Sequence, residues 1–287
     1  MTADLSNFAK ERVIIMSAPN GARRSQADHP ALPVTAFELA DSAETLRDAG
    51  VSILHLHVRD EQGHHTLDAD RYREAIAAIG DRVGSDLIIQ VTTEAVGRYQ
   101  PAEQIQVVRE LRPEAVSLAL REILPPGSDE DNAARFFSWM RHEEIWPQFI
   151  LYSVADVWQF DDLRKRGVLA YDAPFALFVL GNYVRGTPGE VGDLEALLAA
   201  TDASQYPWAV CCFGPNEHAV MLAAEQAGGH VRIGFENNVC LKDGSRAPDN
   251  TALIREFTAA IAGQARQPAT AADIRRRWLS DLDQSLQ

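Results

Sequence analysis

The chain has 287 residues, 46% of them hydrophobic, with 27 Lys+Arg against 41 Asp+Glu and a formal net charge of −14. That length holds one large α/β domain or two small ones, and an acidic field repels phosphate, which argues against a nucleic-acid or anionic-membrane binder. Cys211, Cys212 and Cys240 make no paired framework, Met1–Arg12 has no apolar signal core, and no apolar run nears the ~20 residues of a membrane span, so a soluble cytoplasmic protein is expected.

Short apolar runs alternate with amphipathic stretches along the chain. Val13–Pro19 comes first and ends in Asn20-Gly21-Ala22-Arg23-Arg24. Thr35–Ala49 reads as a helix, with Thr35 as cap, Glu38 completing a capping box, and Gly50 as the stop. Ile53–Val58 is the second run, followed by the helical Asp70–Ile79, which ends at Gly80. After Leu87–Thr92, the stretch Pro101–Leu111 opens with proline in its first turn, as helices often do. Ala115–Leu120, Gln148–Tyr152, Phe175–Leu180 and Trp208–Phe213 continue the series. Asn216–Ala227 is a helix stopped by Gly228-Gly229, and Val231–Phe235 is the last run. Most of these runs are rich in Val, Ile, Phe or Leu, as buried parallel strands are. Eight such units in roughly 250 residues predict a (β/α)8 TIM barrel. It should form a single domain over residues 1–287, with a helical tail at about 265–287. A doubly wound sheet would carry a Gly-rich phosphate turn after its first strand, and Asn20-Gly21-Ala22-Arg23-Arg24 is not one. The helical piece Ala271–Leu282 of the tail either caps the barrel or makes a subunit contact.

His55 and His57 carry the most chemistry. Residues two apart on a strand share a face, so the pair supplies half of a metal site. Zinc takes His nitrogen and carboxylate oxygen, and keeps one position open in catalytic sites. The bland alternative is two hydrogen-bonded core histidines. TIM-barrel active sites lie at the carboxyl ends of the strands. Those ends bring up Asn20, Arg23, Thr92, Thr93, Glu94, Ser117, Arg121, Glu122, Tyr152, Asn182 and Asn216, then Glu236, Asn237 and Asn238. Only strand one separates strands two and eight in a closed barrel, so they stand roughly 10 Å apart. Glu236 is therefore the natural third ligand; otherwise it is a strand-end carboxylate paired with an arginine. Arg232 lies four residues earlier, about 13 Å deeper by strand rise. It either reaches up to the site or serves as a buried counter-charge. Arg59 and Asp60 stand at the same strand end, with a turn-closing pair as their plausible alternative. His29, His64 and His65 read as solvated, and His142, His218 and His230 are given no chemistry.

The residues also resemble the β-keto acid cleavage enzymes, the family of the 3-keto-5-aminohexanoate cleavage enzymes. The carriers are Asn20-Gly21-Ala22, Pro30-Ala31-Leu32-Pro33-Val34-Thr35 and His55-Leu56-His57-Val58-Arg59-Asp60, then Gln90-Val91-Thr92-Thr93 and Phe178-Val179-Leu180-Gly181. The last is the run from Gly228 to Asn238, so the likeness extends from Val13 to about Phe257. The resemblance implies a Zn2+-dependent barrel that condenses a β-keto acid with acetyl-CoA to give acetoacetate and a new acyl-CoA. It also implies a homo-oligomer, a tetramer by the family's habit. His55, His57 and Glu236 would hold the metal. Thr92 would meet the substrate's carboxylate or keto oxygen, and Arg232 becomes an active-site residue. Asn20, Arg23, Thr93 and Ser117 are the further substrate-binding candidates.

Two departures from the family pattern matter. Members often carry an aspartate after the metal-binding glutamate, thought to move a proton. Asn237 stands there and does not titrate, so either another group moves the proton, with Glu122 or Asp60 as candidates, or the reaction differs. Members that take an amino-bearing acid carry glutamate after Asn-Gly-Ala, where this chain has Arg23. A guanidinium repels an ammonium and holds an anion. The expected substrate is therefore not 3-keto-5-aminohexanoate, and its distal end is anionic or neutral polar; the alternative has Arg23 in solvent or paired with Asp28. Two other functions compete, a zinc hydrolase on a similar barrel and a catalytically weak metal-binding homologue.

Overall fold

Eight short buried segments pair in parallel and close on themselves. The computed structural model describes residues 8–182 and 186–279. The barrel strands are β1 (Ile15–Ser17), β2 (Ile53–Leu56), β3 (Ile88–Thr92) and β4 (Ala115–Ala119). β5 (Trp146–Leu151), β6 (Phe175–Leu180), β7 (Trp208–Cys212) and β8 (His230–Ile233) complete it. Their order around the closed barrel follows the chain, with β8 hydrogen-bonded to β1. One longer helix follows each strand: α1 (Ala36–Asp48), α2 (Ala69–Val83), α3 (Pro101–Leu111), α4 (Glu130–His142), α5 (Val154–Lys165), α6 (Val191–Ala199), α7 (Glu217–Gln226) and α8 (Asn250–Ile261). The chain is thus the TIM barrel that its alternation predicts.

Local chemistry sets the helix ends. Thr35 and Glu38 form the expected reciprocal box at the start of α1, and Asp68 caps α2 through the amides of Asp70 and Arg71. Pro101 opens α3. Strand side chains alternate between two cores. Outward residues such as Leu54, Val91, Val116, Phe149 and Phe178 pack under the helices. Inward residues such as Met16, Ile53, Ile88, Leu177 and Cys211 fill the barrel.

The tail closes the amino end of the barrel. Ala271–Ile274 is helical and winds on through Arg275 to Trp278. The Trp278 ring stacks on Trp146, the first residue of β5, with centroids 5.4 Å apart. Of the two roles expected for this tail, capping is the one visible; its last residues, 280–287, lie outside the described residues. No helix among the described residues is long and apolar enough to cross a membrane.

The last strand differs from its expected span. It starts at His230, which accepts the Ile14 amide on Nδ1 at 3.1 Å, and it stops at Ile233. Gly234 breaks it, with φ +151 and the Ala18 carbonyl 2.3 Å from where a Cβ would stand. The chain then turns so tightly that Glu236 leaves from a loop; its amide returns to the Ala18 carbonyl at 3.1 Å.

Candidate active site

Three ligand-type atoms converge at the carboxyl end of the barrel. His55 Nε2 and His57 Nε2 are 3.1 Å apart. Each lies 3.6 Å from Glu236 Oε2. His55, His57 and Glu236 form the one group of candidate ligands among the described residues whose donor atoms lie within 4.8 Å of one another. Bonds of ~2.1 Å to a tetrahedral ion put ligand atoms about 3.4 Å apart, so the three atoms can share one metal. Glu236 Oε2 is buried and has no hydrogen-bond partner among the described residues, as a waiting ligand atom would be. Arg232 is buried and reaches up, donating to Glu236 Oε1 at 3.2 Å. The same nitrogen contacts Cys211 Sγ at 3.3 Å, so the arginine is both site residue and counter-charge.

Protonation suits metal binding. Burial, with help from Arg232, pushes His55 down to about 3. Burial also takes His57 down to about 4, against the pull of Glu236. Both imidazoles are therefore neutral at pH 7, the form that binds metal. His55 Nδ1 lies 2.9 Å from Gln90 Oε1, an acceptor that fixes the proton on Nδ1 and leaves the Nε2 lone pair facing the site. Burial opposes ionisation of Glu236, but Arg232 and the two imidazoles hold it well below the usual carboxylate range.

Backbone ties bring the three strand ends together. Asn20 donates to the His57 carbonyl at 2.9 Å. Asn250, buried at the start of α8, accepts the Phe235 amide at 2.8 Å and donates to the Pro19 carbonyl at 3.0 Å. Arg59 is buried rather than turn-closing: it donates to the carbonyls of Gly21, Ala22 and Arg24 and so shapes the β1–α1 loop. Asp60 does close its turn, through the amides of Gln62 and His64. It does not line the site cavity, so it is a poor proton carrier.

A cavity of about 150 Å³ opens beside the triad. Of the expected site residues, Arg23, Thr92, Glu122, Arg232, His55 and Glu236 line it. Arg23 faces Glu94 at 3.9 Å, whereas Asp28 accepts from Ser25. Thr93 and Ser117 do not line the cavity: the Thr93 hydroxyl donates to the Ser117 carbonyl at 3.2 Å, and Ser117 is buried within the barrel. Asn237 is fully buried and lines neither this cavity nor the smaller one beside Asn20. Two histidines expected in solvent are inside. His65 bonds the Glu94 carbonyl at 3.0 Å, and His29 the Ala247 carbonyl at 2.9 Å. Each ring staples a loop, which repays its burial.

Two cavity carboxylates differ in their commitments. Glu122 Oε2 accepts from the Ala95 amide and Gln104, while burial raises it above its ordinary value. Among the described residues, the Glu94 carboxylate makes only the long contacts to Arg23 and, at 4.0 Å, to His57 Nδ1. Burial and the nearby Glu236 push it up to about 7. The sequence placed Glu94 at a strand end without giving it a role; its position one residue past Thr93 was the available signal.

The profile of the beta-keto acid cleavage enzyme family matches residues 12–278. The chain is 28% identical over 271 residues to the 3-keto-5-aminohexanoate cleavage enzyme of Fusobacterium nucleatum, covering 93% of this chain and 97% of that protein. It is 26% identical over 269 residues to the 3-oxoadipate:acetyl-CoA acetyltransferase of Cupriavidus necator, covering 91% and 93%. The complex of ObcA with oxaloacetate superposes with a TM-score of 0.70 at 16% identity, over 87% of this chain and 67% of that one, a likeness of fold.

Proposed function

The chain belongs to the beta-keto acid cleavage enzyme family, and from that premise we propose that it condenses a β-keto acid with acetyl-CoA to give acetoacetate and a new acyl-CoA. The carrying observation is the convergence of His55 Nε2, His57 Nε2 and Glu236 Oε2 within 3.1–3.6 Å of one another. Zinc is the metal we infer, because two imidazoles, one carboxylate and an open cavity are the donor set of a catalytic zinc site. Bound there, zinc supplies Lewis-acid polarisation of the keto acid.

The protein's own groups do the rest. Arg232 fixes the Glu236 carboxylate and sets a positive charge beside the position where enolate charge develops. Thr92 lines the cavity, and its hydroxyl accepts from the Glu94 amide at 3.1 Å, which leaves its proton for a substrate oxygen. Asn237 cannot take the α-proton of the keto acid. Of the cavity carboxylates, Glu94 is the one whose oxygens, among the described residues, make no hydrogen bond and only long ion-pair contacts, so we assign it that proton. An amino-bearing keto acid fits poorly, since Arg23 lines the cavity on the same side as Glu94. A cytoplasmic homo-oligomer is the setting we propose.

The test is direct. The purified protein is assayed for bound metal and incubated with acetyl-CoA and a panel of β-keto acids, with products read by mass. Acetoacetate and a matching acyl-CoA are expected; metal-replete protein that turns over no member of the panel would defeat the reading.

A further inference from the structure

We propose that Arg121, laid on the ring of Tyr152, is the specificity-determining residue that holds a second carboxylate of the substrate, so that the keto acid is a diacid. The proposal rests on the β-keto acid reading above and names the class of acid.

Among the described residues lining the cavity, Arg23, Arg121 and Arg232 face Glu94, Glu122 and Glu236. Arg232 is bonded to Glu236 at 3.2 Å, and Arg23 stands 3.9 Å from Glu94. Glu122 spends its Oε2 on the Ala95 amide and on Gln104. No carboxylate among the described residues lies within ion-pair distance of Arg121.

What Arg121 has instead is a platform. Its guanidinium carbon sits 3.6 Å from the centroid of the Tyr152 ring. Stacking orients the guanidinium plane without using any of its N–H donors, so the fork remains free for a planar anion. Bidentate pairing with a carboxylate is the strong form of that contact. An isolated surface arginine would have to lose side-chain freedom on binding; here the ring has already restricted it.

Position and charge agree with this role. Arg121 follows β4 and Tyr152 follows β5, whereas the metal-ligand candidates come from β2 and the turn after β8. Because β8 and β2 flank β1, the Arg121–Tyr152 pair stands across the barrel from the triad. A substrate with its keto-acid end at the triad extends toward this pair. Among the described residues lining the cavity the guanidiniums and carboxylates balance, so a bound divalent ion leaves an excess of two positive charges. A dianion neutralises that excess, whereas a keto acid with an ammonium tail does not.

The experiment uses unreactive ligands. Isothermal titration calorimetry of the metal-loaded enzyme compares glutarate and adipate with monocarboxylates of the same carbon number, in wild type, Arg121→Gln, Arg121→Lys and Tyr152→Leu. Wild type should bind the diacids at least tenfold more tightly. Arg121→Gln should erase that preference and leave the monocarboxylates unchanged, Arg121→Lys should recover part of it, and Tyr152→Leu should weaken it. A wild-type ratio near one, or a ratio unaltered in Arg121→Gln, overturns the proposal. So does a loss in Arg121→Gln confined to acetyl-CoA, which would give the arginine to the coenzyme's phosphates. Acyl exchange measured by mass on the wild type fails or succeeds independently, so the two readings can be told apart.

Discussion

Gly21→Ala should disable the metal site while sparing the barrel. Gly21 has φ +63, and a Cβ built on it would stand 2.5 Å from Glu236 Cγ and 2.9 Å from Glu236 Cβ. Carbon atoms rest at about 3.5–4.0 Å, so the glutamate must retreat by about 1 Å or more. Its backbone has little room, because the Glu236 amide is tied to the Ala18 carbonyl and the Phe235 amide to Asn250. Metal–ligand distances tolerate only about 0.2 Å. The carboxylate is therefore lost as a ligand, and affinity should fall by about 100-fold or more, beyond what loss of an outer hydrogen bond costs. The fold pays far less: a left-handed alanine costs about 1–2 kcal/mol, worth a few degrees of melting temperature at about 2–4 °C per kcal/mol. Metal content after dialysis against a graded chelator series and a thermal melt followed by circular dichroism give the two numbers. A Gly21→Ala protein that keeps metal as tightly as wild type would refute the claim that this glycine makes room for a ligand.

The same site makes other measurable commitments. Gln90→Leu removes the acceptor on His55 Nδ1, and metal affinity should drop about 10–100-fold with the triad itself intact. Because burial holds His55 and His57 down to about 3 and about 4, protons should begin to displace the metal only below pH 5, well under the ordinary histidine range; release already complete at pH 6 in a chelator-free titration would contradict this. Glu217 is buried beneath the turn that carries Glu236 and accepts from the Gly234 amide and Asn238. Burial pushes it up to about 8. A carboxyl whose folded value is raised binds more protons folded than unfolded, so its contribution to stability is present below pH 4.5 and is lost as pH rises toward 8. Denaturation midpoints across that window should decline for wild type and decline less for Glu217→Gln.

Much of this was readable from residue order. The barrel follows from eight alternations, and the pair His55 and His57 from period two. Glu236 follows from the closure that makes β8 and β2 near neighbours. What could not be read is where the chain departs from regular geometry. Nothing in the letters says that β8 ends at Ile233 and that Gly234 folds the next residues into a turn, yet this sets the direction of Glu236. The buried loop staples were equally hidden. His29, His65 and Arg59 look like surface residues by type, and they are inside because backbone carbonyls of distant loops happen to need donors there. Glu94 was visible as a letter and not as a group: its raised pKa comes from its burial beside Glu236, a residue 142 positions away.

Asn237 tests how the proton moves. The amide is fully buried, and neither Oδ1 nor Nδ2 has a hydrogen-bond partner among the described residues. Its backbone carbonyl accepts from the Gly214 amide at 3.1 Å. The side chain does not line the cavity. Asn237→Asp would place a buried carboxyl where the present side chain has no hydrogen-bond partner among the described residues and Arg24 reaches only the backbone carbonyl, at 3.5 Å, at a cost of about 1–3 kcal/mol, and burial raises such a carboxyl toward its protonated form. Such a group is badly placed to collect a proton from substrate, so kcat should change by less than about tenfold while the melting temperature falls. Glu94→Gln keeps the shape of the cavity and removes its uncommitted carboxylate; kcat should fall by about 10²–10⁴-fold, the usual worth of a positioned acid–base group, with metal content unchanged. If Asn237→Asp instead raised kcat many-fold and Glu94→Gln left it alone, proton transfer would run through position 237 and the assignment to Glu94 would be wrong.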